Sequence, residues 1–441
     1  MRIGTWHYAA LVLGLLGTPA ARAQTYDLSE TPREGDCFRL TTETTLSGTL
    51  KVARDGKQVP IRIEAKNEHA FSERVLAVDK GVTRTAARYY LGAASRASVD
   101  GSPVVRSLPT DRRLIVAQRT GDGLFCYAPA GLLTRSDLEV VSEHFETLHL
   151  TGLLPGKAVS IGESWKLDSS IAESLCLFDG LISHELTARL KDVSGETASI
   201  SIDGPAKGIE NGALVSVTVA ATVRFDLARK RIVGVEWKQK DVREQGPVAP
   251  AAEVETTTTL KRELLEKEPT ELAAATLAKI PTPGDPPLAV KQLLQRDPKG
   301  RYQLLHARDW HVVGQTDHHL VMRLLERGDF VAQVTLTCWE KAGPGKHMTP
   351  EEFERLTAAG TGWKPEEVLD RQQIPTDADR WVYRITARGT LDGSPVHQTF
   401  YALATAAGDQ MILTFTARPA NAPRVGTRDL ELVNAIEFAG K

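Results

Sequence analysis

The sequence predicts an α+β protein: a larger, curved antiparallel β-sheet domain with covering helices, then a smaller α+β domain. Three observations carry this expectation. Period-two alternation recurs along most of the chain, most clearly from Val215 to Phe225. Helical spacing is confined to a few short segments. A proline-rich stretch, Pro281-Thr282-Pro283-Gly284-Asp285-Pro286-Pro287, reads as an extended spacer between the two blocks. The organisation expected is a signal segment over 1–23, a β-rich domain over 24–268, a short helix and linker over 269–287, and an α+β domain over 288–441.

Arg2 gives the N-terminus a positive charge, Ala9 to Leu16 form a short apolar run, and Ala21-Arg22-Ala23 is an A-x-A cleavage pattern. Together they predict a cleavable secretion signal, with a mature chain starting at Gln24 in the periplasm or outside the cell. Glutamine rather than cysteine follows the cleavage site, so no lipid anchor is expected. The apolar run is too short to cross a membrane, and no later segment approaches about 18 uninterrupted apolar residues.

The chain has 54 Lys+Arg against 56 Asp+Glu. Removing 1–23 takes away only Arg2 and Arg22, so the balance stays near neutral and offers no electrostatic case for nucleic acid. Four cysteines, Cys37, Cys126, Cys176 and Cys338, are too few for a disulfide scaffold. One bridge, Cys37 to Cys126, is the natural pairing if any forms; the alternative is four separate buried thiols.

Cys37 to Val52 and Val59 to Ala65 alternate and are rich in Thr and Val, which suits strands. Asp55-Gly56 between them is a hairpin signal. Leu114 to Gln118 and Gly123 to Tyr127 form a second pair. Leu138, Val141, Phe145 and Leu148 then fall at helical spacing, with Ser136 and Glu139 as a capping box. Leu154-Pro155-Gly156 stops that helix. Ile161 to Leu167 repeats the Gly-acid-x-aromatic-base-Leu pattern of Glu34 to Leu40, hinting at two related halves. Ile171, Leu175 and Phe178 suggest a second helix. Leu186 to Val193, Ala198 to Ile202, Val215 to Asp226, Ile232 to Gln239 and Thr256 to Leu264 read as strands, and Pro269 to Ile280 as a short Ala-rich helix.

Beyond the spacer, strands are expected at Arg301 to Leu305, Leu320 to Leu325 and Val331 to Trp339. Thr349-Pro350-Glu351-Glu352 opens a helix, with Thr as N-cap, Pro at the first turn and Glu three residues on. Trp381 to Leu391, Val396 to Thr405 and Met411 to Ala417 form a meander, and Thr427 to Ile436 a closing helix.

Tyr302-Gln303-Leu304 with Asp309-Trp310, the Val331 strand, the helix at Thr349, the strands from Trp381 through Phe415 and the terminal Ile436-Glu437-Phe438 together resemble the PsbP-like fold. That resemblance implies an α-β-α sandwich and an accessory or binding module rather than an enzyme. It carries over no metal-site motif. Leu154-Pro155 leading to Gly162-Glu163-Ser164-Trp165, and Phe225-Asp226-Leu227 leading to Val233, resemble the curved sheets of LolA-type lipoprotein carriers. That likeness implies an apolar sheet lining able to hold an acyl chain.

Val215, Val217, Val219, Val223 and Phe225 share one face of their strand and are the ligand-binding candidates, under a covering helix, a ligand or both. Trp363, in Gly360-Thr361-Gly362-Trp363-Lys364-Pro365, is the candidate exposed contact aromatic; core packing is the alternative for it and for Trp310, Trp339 and Trp381. His306, Asp309, His311, His318 and His319 cluster in sequence but match no zinc spacing. No Gly-x-Ser-x-Gly elbow, His-Glu-x-x-His or phosphate loop accompanies His144, His149, His184, Ser164 or the cysteines. No catalytic residue, metal or cofactor is therefore assigned. The function expected is non-catalytic binding, of a lipid or apolar small molecule or of an envelope protein. A hydrolase with an unrecognised site and a structural envelope module are the alternatives.

Overall fold

The computed structural model describes residues 24–54, 57–121, 123–141, 145–278, 280, 284–376 and 380–439. The segment expected as a secretion signal, the Asp55-Gly56 pair expected as a hairpin turn, His144 and Pro281-Thr282-Pro283 lie outside them.

Thirteen antiparallel strands form the first sheet. Its order runs from Gly123–Tyr127 through Leu114–Thr120, Val82–Val99, Lys57–Asp79 and Cys37–Arg54 to Ala251–Leu264. It continues through Arg231–Arg243, Ala213–Asp226, Thr197–Glu210 and Thr187–Ser194 to Ser164–Lys166. Ser102–Ser107 pairs with Val82–Val99, and Gly180–His184 with Thr197–Glu210. The first long strand therefore zips onto the last, joining two meanders into one sheet. Side chains from both ends, including Phe38, Tyr90 and Ile115 on one side and Leu190, Ile200 and Val223 on the other, enter a single buried cluster. One face of the sheet thus wraps a common core. Alternation at Ala213–Asp226 is strict, with every second side chain buried.

The two Gly-acid segments fold alike. Gly35 and Gly162 both hold φ at +88°, and the acid that follows accepts from the backbone N–H three residues upstream: Arg33 N to Asp36 Oδ2 at 3.1 Å, Ser160 N to Glu163 Oε2 at 3.0 Å. Each turn leads into a strand, Cys37–Arg54 and Ser164–Lys166.

Helix Arg135–Val141, the 3-10 segment Thr147–Leu153 and helix Ser169–Leu175 pack on the inner face. The helix expected through Leu148 stops earlier and resumes as 3-10 turns. Its cap also differs from expectation. Thr134 Oγ1 accepts from Asp137 N and Asp137 Oδ2 from Thr134 N, each at 3.0 Å. Glu139 is engaged elsewhere, in an ion pair with Arg106 at 2.7 Å. The approach of the 3-10 segment to the second helix needs Gly152, where a Cβ would lie 2.2 Å from Ile171 Cδ1.

The segment after the sheet is shorter in helix than expected: a 3-10 turn, Thr270–Leu272, and one turn, Ala274–Leu277. Beyond it, seven antiparallel strands form a second sheet, ordered Trp310–Gln315, His319–Glu326, Asp329–Trp339, Gln410–Ala417, Ser394–Thr405, Arg380–Leu391, Trp363–Gln373. Helix Pro350–Ala358 packs on one face, with the full Thr349/Glu352 capping box. Helix Arg428–Asn434 and a three-stranded sheet, Gln292–Arg296, Tyr302–Ala307 and Ile436–Phe438, pack at the other. The two parts of the chain touch. Leu293 sits in the first part's core, and Leu294 N donates to Leu133 O at 2.9 Å. All four cysteines are thiols, so Cys37 and Cys126 are not bridged. No helix among the described residues is long and apolar enough to cross a membrane.

Candidate functional site

Directly paired residues of an antiparallel sheet share a face. Register therefore extends the buried valine face across the first sheet. Val217 pairs with Asp241, Asp241 with Val254, Val254 with Gly48, Gly48 with Ile63, and Ile63 with Val99. A neighbouring row runs Val215, Arg243, Ala252, Leu50, Ile61.

This face divides into two regions. Val215, Val217, Val219, Val223 and Phe225 are at most 4% exposed and belong to the core beneath the helices. Leu46, Leu50, Ile61, Ile63, Val99 and Val254 continue the same face toward the hairpin tips. Among the described residues, none of these six belongs to a hydrophobic cluster, and all but Ile61 are partly exposed. The opposite face of the same strands is polar, carrying Ser47, Lys51, Arg62, Glu64 and Glu253 with a Lys51–Glu253 ion pair at 2.7 Å. The covered valines were legible from alternation in one strand. The uncovered residues were not, because they lie on four strands that only long-range register brings together.

Asp241 marks the border. Burial pushes its carboxyl up to about 6, with a hydrogen bond from Gln239 opposing the shift, and its Oδ1 is buried without a hydrogen-bond partner among the described residues. The Cys176 thiol, at the end of the second covering helix, is pushed up to about 12 by burial and by Asp241. On the opposite border, His69 meets Val140 O through Nε2 at 2.7 Å and Thr42 Oγ1 through Nδ1 at 3.2 Å. The arrangement offers apolar contact beside a polar border formed by Asp241 and the Arg243–Glu210 ion pair at 3.1 Å.

Trp363 differs from expectation. It opens the strand Trp363–Gln373, is 6% exposed, and packs with Phe353, Phe400 and Ile412. It nevertheless forms a wall of a cleft of about 230 Å³ beneath helix Pro350–Ala358, facing Trp339, Leu356 and Gln398. The histidines of the second part are scattered. His306 is buried and its Nδ1 donates to Ala307 O at 2.8 Å, whereas His318 and His319 are exposed. Among the described residues, no group of three or more His, Cys, Asp or Glu is placed to hold a metal ion.

No protein-family model matches the sequence, and no curated protein matches it significantly. Solved structures give remote likeness. Cyanobacterial PsbP (CyanoP) from Synechocystis sp. PCC 6803 is similar over 36% of this chain and 99% of its own, at 13% identity and a TM-score of 0.27. Lipovitellin is similar over 55% of this chain, at 9% identity and a TM-score of 0.32, and the match spans 26% of lipovitellin itself. The likeness to PsbP is one of fold only, and the likeness to LolA-type carriers stands on the sequence alone.

Proposed function

We propose that the protein is an exported, non-catalytic binding protein that carries an elongated apolar ligand of the acyl-chain class on the inner face of its first sheet. One observation supports this reading above the others. The polar-backed strands extend an apolar face, Leu46, Leu50, Ile61, Ile63, Val99 and Val254, beyond every hydrophobic core of the described residues. An uncovered apolar face of this kind marks a contact site. Its open, elongated shape suits a chain-like ligand better than a compact one. The buried valines supply the rigid floor from which that face extends.

Native mass spectrometry of the full chain purified from its own host tests the proposal. A retained, extractable lipid is expected. A co-purifying protein would instead favour a partner interface, and an unliganded chain a structural role. In reconstitution with a fluorescent fatty acid, Ile63→Asp and Leu50→Asp are each expected to weaken binding at least tenfold while leaving the melting temperature nearly unchanged, because both side chains are partly solvent-facing.

A further inference from the structure

The cleft beneath helix Pro350–Ala358 is separate from the inner face of the first sheet and is built from different chemistry. Trp363 and Phe400 form one corner, their ring centroids 6.3 Å apart at 60°. Trp339, the most exposed tryptophan side chain of the cleft at 37%, stands at the mouth, with Ile412 as floor and Leu356 of the helix as roof. With Leu391, three aromatic rings and three aliphatic side chains thus converge on a space of about 230 Å³. A dry cavity of about 150 Å³ holds a benzene ring. The cleft is therefore large enough for one or two fused rings and too small for a helix or a strand.

Thr337, Thr357, Thr361, Thr414 and Gln398 supply its polar side chains, and Gln398 is the amide among them. Gln398 is 5% exposed, yet it sits on the same sheet face as Phe400 and Ile412 and lines the cleft. Its Nε2 donates to Thr416 Oγ1 at 3.1 Å. That bond fixes the amide, and among the described residues nothing donates to its Oε1. An amide oxygen that no donor meets, on a side chain lining an aromatic cleft, is complementary to a flat ring bearing an N–H or O–H. Carboxylates and phosphates are disfavoured, since no lysine or arginine among the described residues lines the cleft.

We infer that this cleft binds a small planar aromatic molecule of the indole or phenol class, stacked against Trp363 and Phe400 and donating its N–H or O–H to Gln398 Oε1. Ring-edge packing supplies most of the affinity, and the amide selects for the donor.

The test uses the full chain with indole and 1-methylindole, read by saturation-transfer NMR and titration calorimetry. Indole is expected to bind, and 1-methylindole to bind about three- to tenfold more weakly, the value of one hydrogen bond. Gln398→Leu should erase that difference, and Ile412→Trp should fill the cleft and abolish both signals. The ligand pair probes the wild-type chain, so the comparison survives if either variant fails to fold. Absence of binding by both ligands would overturn the site. Equal binding of both by the wild-type chain would overturn the assigned hydrogen bond and with it the ligand class.

Discussion

The guanidinium carbon of Arg308 lies 3.7 Å from the centroid of the Phe125 ring, and this contact ties the second part of the chain to the first. Arg308 Nη2 also donates to Cys126 O at 2.8 Å and to Val290 O at 3.3 Å. Burial lowers the Arg308 pKa to about 10. Nearby, Arg135 Nη2 reaches back to Arg308 O and Trp310 O, both at 3.1 Å. A buried guanidinium held by carbonyls and one aromatic face depends on all of them at once.

Arg308→Ala is therefore expected to destabilise the chain by about 2–4 kcal/mol, from lost charged hydrogen bonds and a lost cation–π contact. A fragment beginning at Leu288 should fold with reduced stability, because it exposes Leu293 and strips Arg308 of Phe125 and Cys126. Urea unfolding of full chain, variant and fragment measures both. Unchanged midpoints for the variant and the fragment would show that the interface contributes nothing.

The same interface should respond to acid. Burial first, and then the positive charge of Arg135, lowers both His306 and His311 to about 4. In the unfolded chain both return to the ordinary value near 6.5. Between those limits the unfolded state binds more protons, so stability falls as pH drops from about 6.5 to about 4 and is fully present above that window. A loss of about 1–3 kcal/mol per histidine is expected. His306→Phe, which also removes the unpartnered Nε2, should flatten the slope of melting temperature against pH. A slope identical to wild type would remove His306 from the account.

How much of this was readable from the chain depends on the range of the interaction. Ala213–Asp226 and the Thr349 cap are local, and alternation and capping chemistry showed them directly. Val82–Val99, interior to the sheet, escaped notice because both of its faces are buried, Thr85 and Ala87 on one and Ala86, Arg88 and Tyr90 on the other, so hydrophobicity does not alternate. Arg88 is buried against Glu73, which meets it at 2.8 Å from the next strand, and Thr147, whose Oγ1 accepts from its Nη2 at 2.7 Å, pairings no local pattern encodes. Trp363 looked like loop because Gly360 and Gly362 precede it. Both glycines serve the turn that delivers it into the sheet. The candidate binding face failed to appear for a related reason: Leu50, Ile63 and Val254 meet only through register.

Asp241 gives a dependence of opposite sign. Burial raises its carboxyl to about 6 from 3.8. The folded state therefore holds the proton more tightly than the unfolded state. That stabilisation is fully present below about pH 3.8 and is lost as pH rises through about 6. Asp241→Asn keeps the shape without the charge and is expected to stabilise the chain by about 1–3 kcal/mol at pH 8, with little effect at pH 4. Thermal melts at the two pH values measure the difference. Equal effects at both would show that ionisation of Asp241 is not the cause.

A last prediction concerns the anchoring of the N-terminal segment. Glu30 is buried, accepts from Arg262 Nη1 at 2.5 Å through Oε1 and from Ile232 N at 2.8 Å through Oε2, and Arg262 lies over the Phe38 ring with its guanidinium carbon 3.7 Å from the centroid. Three distant stretches meet at this carboxylate. Glu30→Ala leaves a buried guanidinium without its anion and a buried N–H without an acceptor, so a loss of about 3–5 kcal/mol is expected. Replacing the whole pair is different in kind, since no charge is then left alone. Glu30→Leu combined with Arg262→Met should recover most of the loss, because the thioether chain stays apolar against the Phe38 ring. Urea unfolding of the single and double variants measures this. Additive losses would show that the two residues act separately, whereas recovery in the double variant identifies the unpaired charge, rather than the missing contact, as the source of the cost.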